Sequence, residues 1–81
     1  MANRDPETDG DRLRRLLREA RDAAGLRQSD VAERLGQTQS YVSKYESGER
    51  RLDVLELRAV LGVLGMSLLD FVRHFEDDDA A

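Results

Sequence analysis

The chain has 81 residues, which is the size of one small domain and leaves little room for a deep catalytic cleft beside a core. It contains no cysteine, so disulfides and thiolate metal sites are excluded, and no apolar run approaches the about 18 residues that span a bilayer. The net charge of −4 is uneven, because residues 1–10 and 76–81 are acidic whereas the body is mildly basic. We therefore expect disordered acidic tails at 1–10 and 76–81 around one domain, 11–75, in a cytoplasmic protein without a secretory signal.

The first predicted helix runs from Asp11 to Ala24. Its apolar side chains recur at the i, i+3, i+4, i+7 spacing of one buried stripe: Leu13, Leu16, Leu17, Ala20 and Ala24. Arginines cover much of the remaining surface, and Gly25 follows the last apolar position as a helix stop.

Two short helices follow, separated by a tight turn. The first is predicted over residues 28–35 and ends at Gly36, which is suited to the left-handed conformation of a helix C-terminus. Thr38 is a good N-cap for the next helix, which is predicted to run to about Ser47 before Gly48. The two helices and their turn occupy about residues 28–47.

Two further helices complete the domain. Asp53 and Glu56 form an acidic variant of the capping box that starts the fourth helix, and Gly65 ends it. Ser67 caps the fifth helix, which is predicted over residues 67–75. Since no segment alternates with the period of a strand, the predicted fold class is all-α, a compact five-helix domain.

The third helix has a polar outward arc. At about 100° per residue, Val42 and Tyr45 face the core, whereas the far side carries Ser40, Ser43, Lys44 and Ser47, with Gln39 near its edge. A two-turn helix of this kind fits a DNA major groove, in which Gln pairs with adenine and Lys with guanine. From this arc alone, a polar surface helix that binds nothing is an equal alternative.

Glu46 lies only about 40° from Val42 on the same wheel, so it points partly inward. A buried carboxylate needs a partner, and Arg21 near the end of the first helix can supply one. The alternative is an exposed glutamate that reaches solvent.

The stretch "GLRQSDVAERLGQTQSYVSKYESGER" at residues 25–50 resembles the helix-turn-helix of the Xre/phage-repressor (Cro/C1-type) regulators. The matching positions are Gly25-Leu26, Gln28, Val31-Ala32, Leu35-Gly36, Val42-Ser43-Lys44, Glu46 and Gly48. The segment "LRAVLGVLGMSLLDF" resembles the part that closes the same five-helix, lambda-repressor-like domain. The resemblance covers about residues 13–75 and implies sequence-specific binding to double-stranded DNA at an operator, without a cofactor.

The resemblance also implies roles for individual residues. The third helix would read bases through Gln39, Ser40, Ser43 and Lys44, and Glu46 would pair with Arg21. The residues expected to contact phosphate are Gln28, Thr38, Tyr41 and Ser47. Arg27 departs from the Ser or Thr common at its position, which removes a side-chain cap worth about 1 kcal/mol and offers a possible phosphate contact instead. Arg50 and Arg51 are phosphate clamps or an ordinary solvated basic pair.

The fifth helix has more apolar side chains than one face can bury. Leu68, Leu69, Val72 and Phe75 are therefore the expected homodimer interface, as in similar repressors. The alternative is a monomer in which Leu69 alone protrudes. The alternative function is a protein-interaction module or antitoxin-type regulator that binds a protein partner through residues 67–75. His74, the only histidine, is a weak candidate for a metal ligand, and no catalytic arrangement is visible, so we expect neither a metal site nor an enzyme.

Overall fold

Five helices account for most of residues 7–78, the part of the chain that this computed structural model describes. They are α1 (Asp9–Ala23), α2 (Gln28–Leu35), α3 (Gln39–Ser47), α4 (Val54–Val63) and α5 (Leu68–Asp77). No strand occurs within residues 7–78. The predicted all-α, five-helix class is therefore confirmed.

The core lies where the apolar faces of all five helices meet. α2 packs on α3 and α4, α1 packs on α3 and α5, and α4 packs on α5. The buried apolar side chains are Leu16, Leu17, Val31, Ala32, Val42, Tyr45, Val60, Leu61 and Phe71. Because α1 and α2 cover one side of α3, only its opposite side is left for an external partner.

The turn between α2 and α3 depends on Gly36, whose φ of 70° lies in the left-handed region. Its N–H donates to the carbonyl of Glu33, and the next N–H, of Gln37, donates to the carbonyl of Ala32 at 2.9 Å. These bonds satisfy the carbonyls that the end of α2 leaves free. Thr38 then caps α3, and its hydroxyl accepts from the backbone N–H of Tyr41 at 3.2 Å.

The first helix begins two residues earlier than the sequence predicts and ends one residue earlier. Thr8 is its N-cap, and the threonine hydroxyl accepts from the backbone N–H of Asp11 at 3.0 Å. Ala24 does not belong to the buried stripe, because it is the exposed C-cap. The apolar stripe begins only at Leu13, so helical periodicity does not mark this earlier start.

The boundaries predicted for the two acidic tails also move outward. Glu7 accepts two hydrogen bonds from the guanidinium of Arg15, at 2.8 and 3.0 Å, and Asp78 accepts one at 2.6 Å. The hydrogen bonds from Arg15 lower the pKa of the Glu7 carboxyl. α5 accordingly continues to Asp77, past the predicted end at residue 75. The disorder predicted for residues 1–6 and 79–81 lies outside the described residues.

Candidate nucleic-acid interface

The outward side of α3 is polar and open. Its exposed side chains are those that the helical wheel placed there: Gln39, Ser40, Ser43, Lys44 and Ser47. On the opposite side Val42 is fully buried, and Tyr45 and Glu46 are also buried. Burial raises the pKa of the Tyr45 phenol above its ordinary value, so the phenol stays neutral at physiological pH. Within residues 7–78, Lys44 forms no ion pair, so its ammonium is available to an external acceptor.

Glu46 is held by an ion pair with α1. Its carboxylate accepts from Nε of Arg21 at 2.8 Å and from Nη2 at 3.2 Å, and the Glu46 residue is only 5% exposed. Arg21 Nη1 also donates to the backbone carbonyl of Leu26 at 3.0 Å. The hydrogen bonds to Glu46 raise the pKa of Arg21. In this structure Glu46 is therefore not the solvent-exposed glutamate of the alternative interpretation.

Gln28 extends this pair toward the outward side of α3. Its side-chain Nε2 donates to Oε1 of Glu46 at 2.9 Å, and its Oε1 accepts from Nε2 of Gln39 at 3.5 Å. A chain of polar contacts thus runs from Arg21 through Glu46 and Gln28 to Gln39. The family resemblance implies a phosphate contact for Gln28 at the start of α2. Nothing in the sequence indicated that the Gln28 amide also binds Glu46.

The start of α2 is capped from within the helix. The backbone N–H of Arg27 donates to Oδ2 of Asp30 at 2.8 Å, and the guanidinium donates to the same carboxylate. These bonds lower the pKa of Asp30 to about 2. The expected loss of a side-chain cap at Arg27 is thus partly offset, because Asp30 satisfies the N–H that precedes the helix. The Arg27 side chain is 81% exposed and faces solvent beside the helix start.

An open depression of about 470 Å³ lies at this helix start. Arg21, Arg27, Gln28, Ser29 and Gln39 contribute to its lining. It places the N-terminal end of α2, where backbone N–H groups favour an anion, next to the first residue of α3.

The two arginines after α3 have different surroundings. The guanidinium of Arg50 lies 4.7 Å from the centroid of the Tyr41 ring and donates to Glu56 on α4. Arg51 is exposed and forms no ion pair within the described part of the chain. Ser47 is also exposed, although its hydroxyl donates to the carbonyl of Lys44 at 3.1 Å. A phosphate at this turn would meet Arg51 directly and would compete with Glu56 for Arg50.

The residues predicted to form a dimer interface divide into two groups. Leu69 is 66% exposed and Val72 is 43% exposed, whereas Leu68 and Phe75 are half-buried against the core. The guanidinium of Arg12 covers one side of the Phe75 ring, 5.4 Å from its centroid. Two more exposed apolar side chains, Val54 (60%) and Leu55 (65%), lie at the start of α4. The sequence pattern predicts no exposed apolar surface at this helix start.

Other classes of site have no counterpart in residues 7–78. His74 is exposed near the end of α5. Residues 7–78 contain no group of three or more potential metal ligands. None of the five helices combines the length and apolar character needed to cross a membrane.

The chain carries a helix-turn-helix, the unit with which a large class of transcription regulators binds DNA. The family model described as "Helix-turn-helix" matches residues 17–71. The chain therefore belongs to the XRE-type helix-turn-helix family of DNA-binding regulators. No curated protein sequence matches it.

Solved structures support the same family. An XRE-family like protein from Pseudomonas syringae pv. tomato str. DC3000 is 43% identical, with a TM-score of 0.81 over 84% of this chain and 83% of that one. The clp gene regulator ClgR from C. glutamicum is 26% identical, with a TM-score of 0.77 over 90% of this chain and 95% of that one. A second ClgR structure has a TM-score of 0.75 at the same identity, over 88% of this chain and 77% of that one.

Proposed function

We propose that this protein is a sequence-specific, double-stranded DNA-binding repressor of transcription that acts in the cytoplasm by occupying its operator. The observation that carries the proposal is the division of α3 into a buried side and an exposed side that can form hydrogen bonds. Phosphate contacts set the position of the protein on the duplex, and contacts to base edges select the sequence.

In this mechanism α3 enters the major groove, which is about 12 Å wide. Gln39 and Lys44 contact base edges, with adenine and guanine as their respective partners by hydrogen-bond geometry. Ser40 and Ser43 contribute shorter donors and acceptors between them. Each well-formed bidentate contact discriminates against the wrong base by about 1–3 kcal/mol.

Phosphate contacts flank the reading helix on both sides. Gln28 and Arg27 lie at the start of α2, where the helix dipole also favours an anion. At the C-terminal end of α3, Ser47 faces the backbone of the same groove, and Arg50 and Arg51 do so just beyond it. Thr38 and Tyr41 lie at the start and flank of α3. In the free protein, the Gln39 side chain makes one long contact of 3.5 Å, from its Nε2 to Oε1 of Gln28. This contact lowers the entropy cost of ordering Gln39 on a base.

A homodimer fits the exposed apolar side chains of α5. Leu69 and Val72 form the centre of the proposed contact, with Leu68 and Phe75 beneath them. A two-fold dimer places two α3 helices about 34–36 Å apart, one turn of DNA, and so requires a palindromic operator.

The test begins with selection of bound genomic fragments by the full chain, followed by sequencing to define an operator. Affinity for this operator and for a scrambled duplex is then compared among the parent and the variants Gln39→Ala and Lys44→Ala. Each variant should lose about 5- to 150-fold of the preference for operator. Arg58→Ala, which removes an exposed cation from α4, outside the proposed DNA and dimer surfaces, is the control and should keep it. If both α3 variants discriminate as well as the parent, the assignment of the base-reading residues is wrong.

The second candidate is a protein-interaction module or antitoxin-type regulator that binds a protein partner through residues 67–75. Leu69 and Val72 favour it, because the same exposed surface serves any apolar partner. A titration of genomic DNA at two salt concentrations separates the candidates. A binder with 6–10 phosphate contacts loses about 10³–10⁵ in affinity between 50 and 200 mM salt. Negligible affinity at both concentrations would favour the protein partner.

A further inference from the structure

A cavity of about 240 Å³ lies between the start of α1 and the connection from α3 to α4. Its floor is apolar and consists of Leu13, Leu17, Tyr45 and Leu52. Two of these floor residues, Leu17 and Tyr45, belong to the buried core. The cavity therefore reaches from the surface to the core beside the turn that follows α3.

Three arginines surround this floor: Arg14, Arg50 and Arg51. Arg14 pairs with Asp11 at 2.6 Å, and Arg50 pairs with Glu56. Arg51 has no carboxylate partner within residues 7–78. Asp11 and Glu56 each neutralise one of these guanidinium groups, and no carboxylate lines this first cavity, so the charge of Arg51 remains here and is complementary to one anionic group.

A second cavity, of about 300 Å³ and open to solvent, shares Leu13 and Gly10 with the first. Apart from Asp9 at its edge, its remaining lining is apolar: Leu57, Phe71, Val72 and Phe75. The two cavities are thus neighbours, one cationic at its rim and one apolar throughout most of its wall.

Gly10 lines both cavities and has no side chain to fill the space between them. Its backbone has no positive φ, so the conformation does not require glycine. A Cβ there would approach Nη1 of Arg14 to 3.2 Å. Alanine would favour the helix more than glycine does, and the missing side chain leaves room beside the Arg14 guanidinium.

We propose that these two cavities form one binding site for a medium-chain carboxylate. The carboxylate lies among Arg14, Arg50 and Arg51, and the alkyl tail passes Gly10 and Leu13 into the apolar cavity. The combined space is within the range of about 300–1,000 Å³ that is usual for small-ligand sites, with few polar groups and a mainly apolar lining.

The site is placed to regulate DNA binding, and this part rests on the proposed function. A carboxylate bound to Arg50 and Arg51 occupies two cations that would otherwise meet phosphate. The tail also borders Val72, on the face proposed for the dimer. Bound carboxylate therefore weakens operator binding, and by linkage operator DNA weakens carboxylate binding by the same factor.

Octanoate is the probe, and acetate and 1-octanol are the comparison ligands. Each is titrated into the full chain without DNA, and binding is followed by ¹H–¹⁵N NMR and calorimetry. Octanoate should bind at least about a hundredfold tighter than acetate, because each buried methylene contributes about fourfold. Octanol, which lacks the charge, should bind more weakly than octanoate. The amide shifts should cluster at Leu13, Leu52 and Leu57.

Two variants test the placement. Gly10→Leu fills the shared boundary and should reduce octanoate affinity more than about tenfold, because a filled cavity excludes the tail. Gly62→Leu is the matched control, since Gly62 is helical and exposed and lines neither cavity, and it should bind octanoate as the parent does. Arg51→Gln, at an exposed position, should lower the affinity for octanoate by about two- to fivefold and leave the affinity for octanol unchanged.

The binding experiment is independent of the DNA experiment. Absence of octanoate binding at millimolar concentration, equal binding of octanol, or full binding by Gly10→Leu would overturn the proposed site. If octanoate binds as described but operator affinity is unchanged, the coupling is wrong and the site stands. If the parent binds no DNA at all, the proposed function fails while the carboxylate site is still decided by the titration.

Discussion

Replacement of Glu46 by alanine is the strongest test of how α3 is held on the domain. In the native structure the Glu46 carboxylate accepts two hydrogen bonds from Arg21 and one from Gln28, and the residue is 5% exposed. The alanine variant leaves the Arg21 guanidinium, whose side chain is 16% exposed, without its principal acceptor. We expect this variant to be strongly destabilised.

The magnitude follows from the burial of the pair. Removing one partner of a buried ion pair costs about 3–5 kcal/mol, mostly because the other charge stays buried and unpaired. Arg21 retains the carbonyl of Leu26 and a second carboxylate, that of Asp22 at 3.7 Å. We therefore expect the lower end of the range, about 3 kcal/mol. A domain of this size shifts by about 4–8 °C per kcal/mol, so Tm should fall by about 12–24 °C.

Urea unfolding followed by circular dichroism measures the change directly. Glu33→Ala on α2 is the control, because Glu33 is exposed and forms no ion pair within residues 7–78. It should change the free energy of unfolding by less than about 0.5 kcal/mol. A loss below about 1 kcal/mol for Glu46→Ala would refute the argument that a buried, hydrogen-bonded carboxylate holds α3.

Three further predictions concern caps, pH and assembly. Thr38→Ala removes the N-cap of α3 and should cost about 1 kcal/mol of unfolding free energy, measured in urea. Hydrogen bonds from Arg27 lower the pKa of Asp30 from 3.8 to about 2, so the folded state binds fewer protons and the stability from Asp30 is lost as pH falls through this range. Asp30→Asn should make the urea midpoint depend less on pH between these two pKa values. A variant whose midpoint changes with pH as steeply as that of the parent would contradict this. Leu69→Glu should shift sedimentation equilibrium toward monomer, whereas Ala23→Glu, with the same added charge at an exposed site, should not.

The helices were predictable from the sequence because their signals are local. Thr38 and Gly48 mark the two ends of α3, and the structure places its cap residues at those positions. Asp53 and Glu56 likewise exchange the two hydrogen bonds of a capping box, at 2.9 and 2.7 Å. Such interactions join residues three or four apart, so the order of residues specifies them without knowledge of the tertiary fold.

The polar face of α3 was equally predictable, since helical periodicity alone separates Val42 and Tyr45 from Ser43 and Lys44. The inward direction of Glu46 followed from the same wheel. Periodicity did not predict the contacts that the exposed side chains make in the free protein, because those contacts join residues far apart in the chain. The pairing of Arg50 with Glu56 and its position over Tyr41 are of this kind.

By itself, therefore, the sequence determined five helices, the N-caps of α3, α4 and α5, and the side of α3 that faces away from the core, because these depend on periodicity and on neighbours within one turn. Only the tertiary structure decided what crosses between helices. Arg15 joins Glu7 to Asp78, 63 residues beyond Arg15, and so brings the two acidic ends of the domain together. Gln28 joins Glu46 to Gln39 in the same way. No spacing in the chain encodes such contacts, because they exist only once packing has brought the helices side by side.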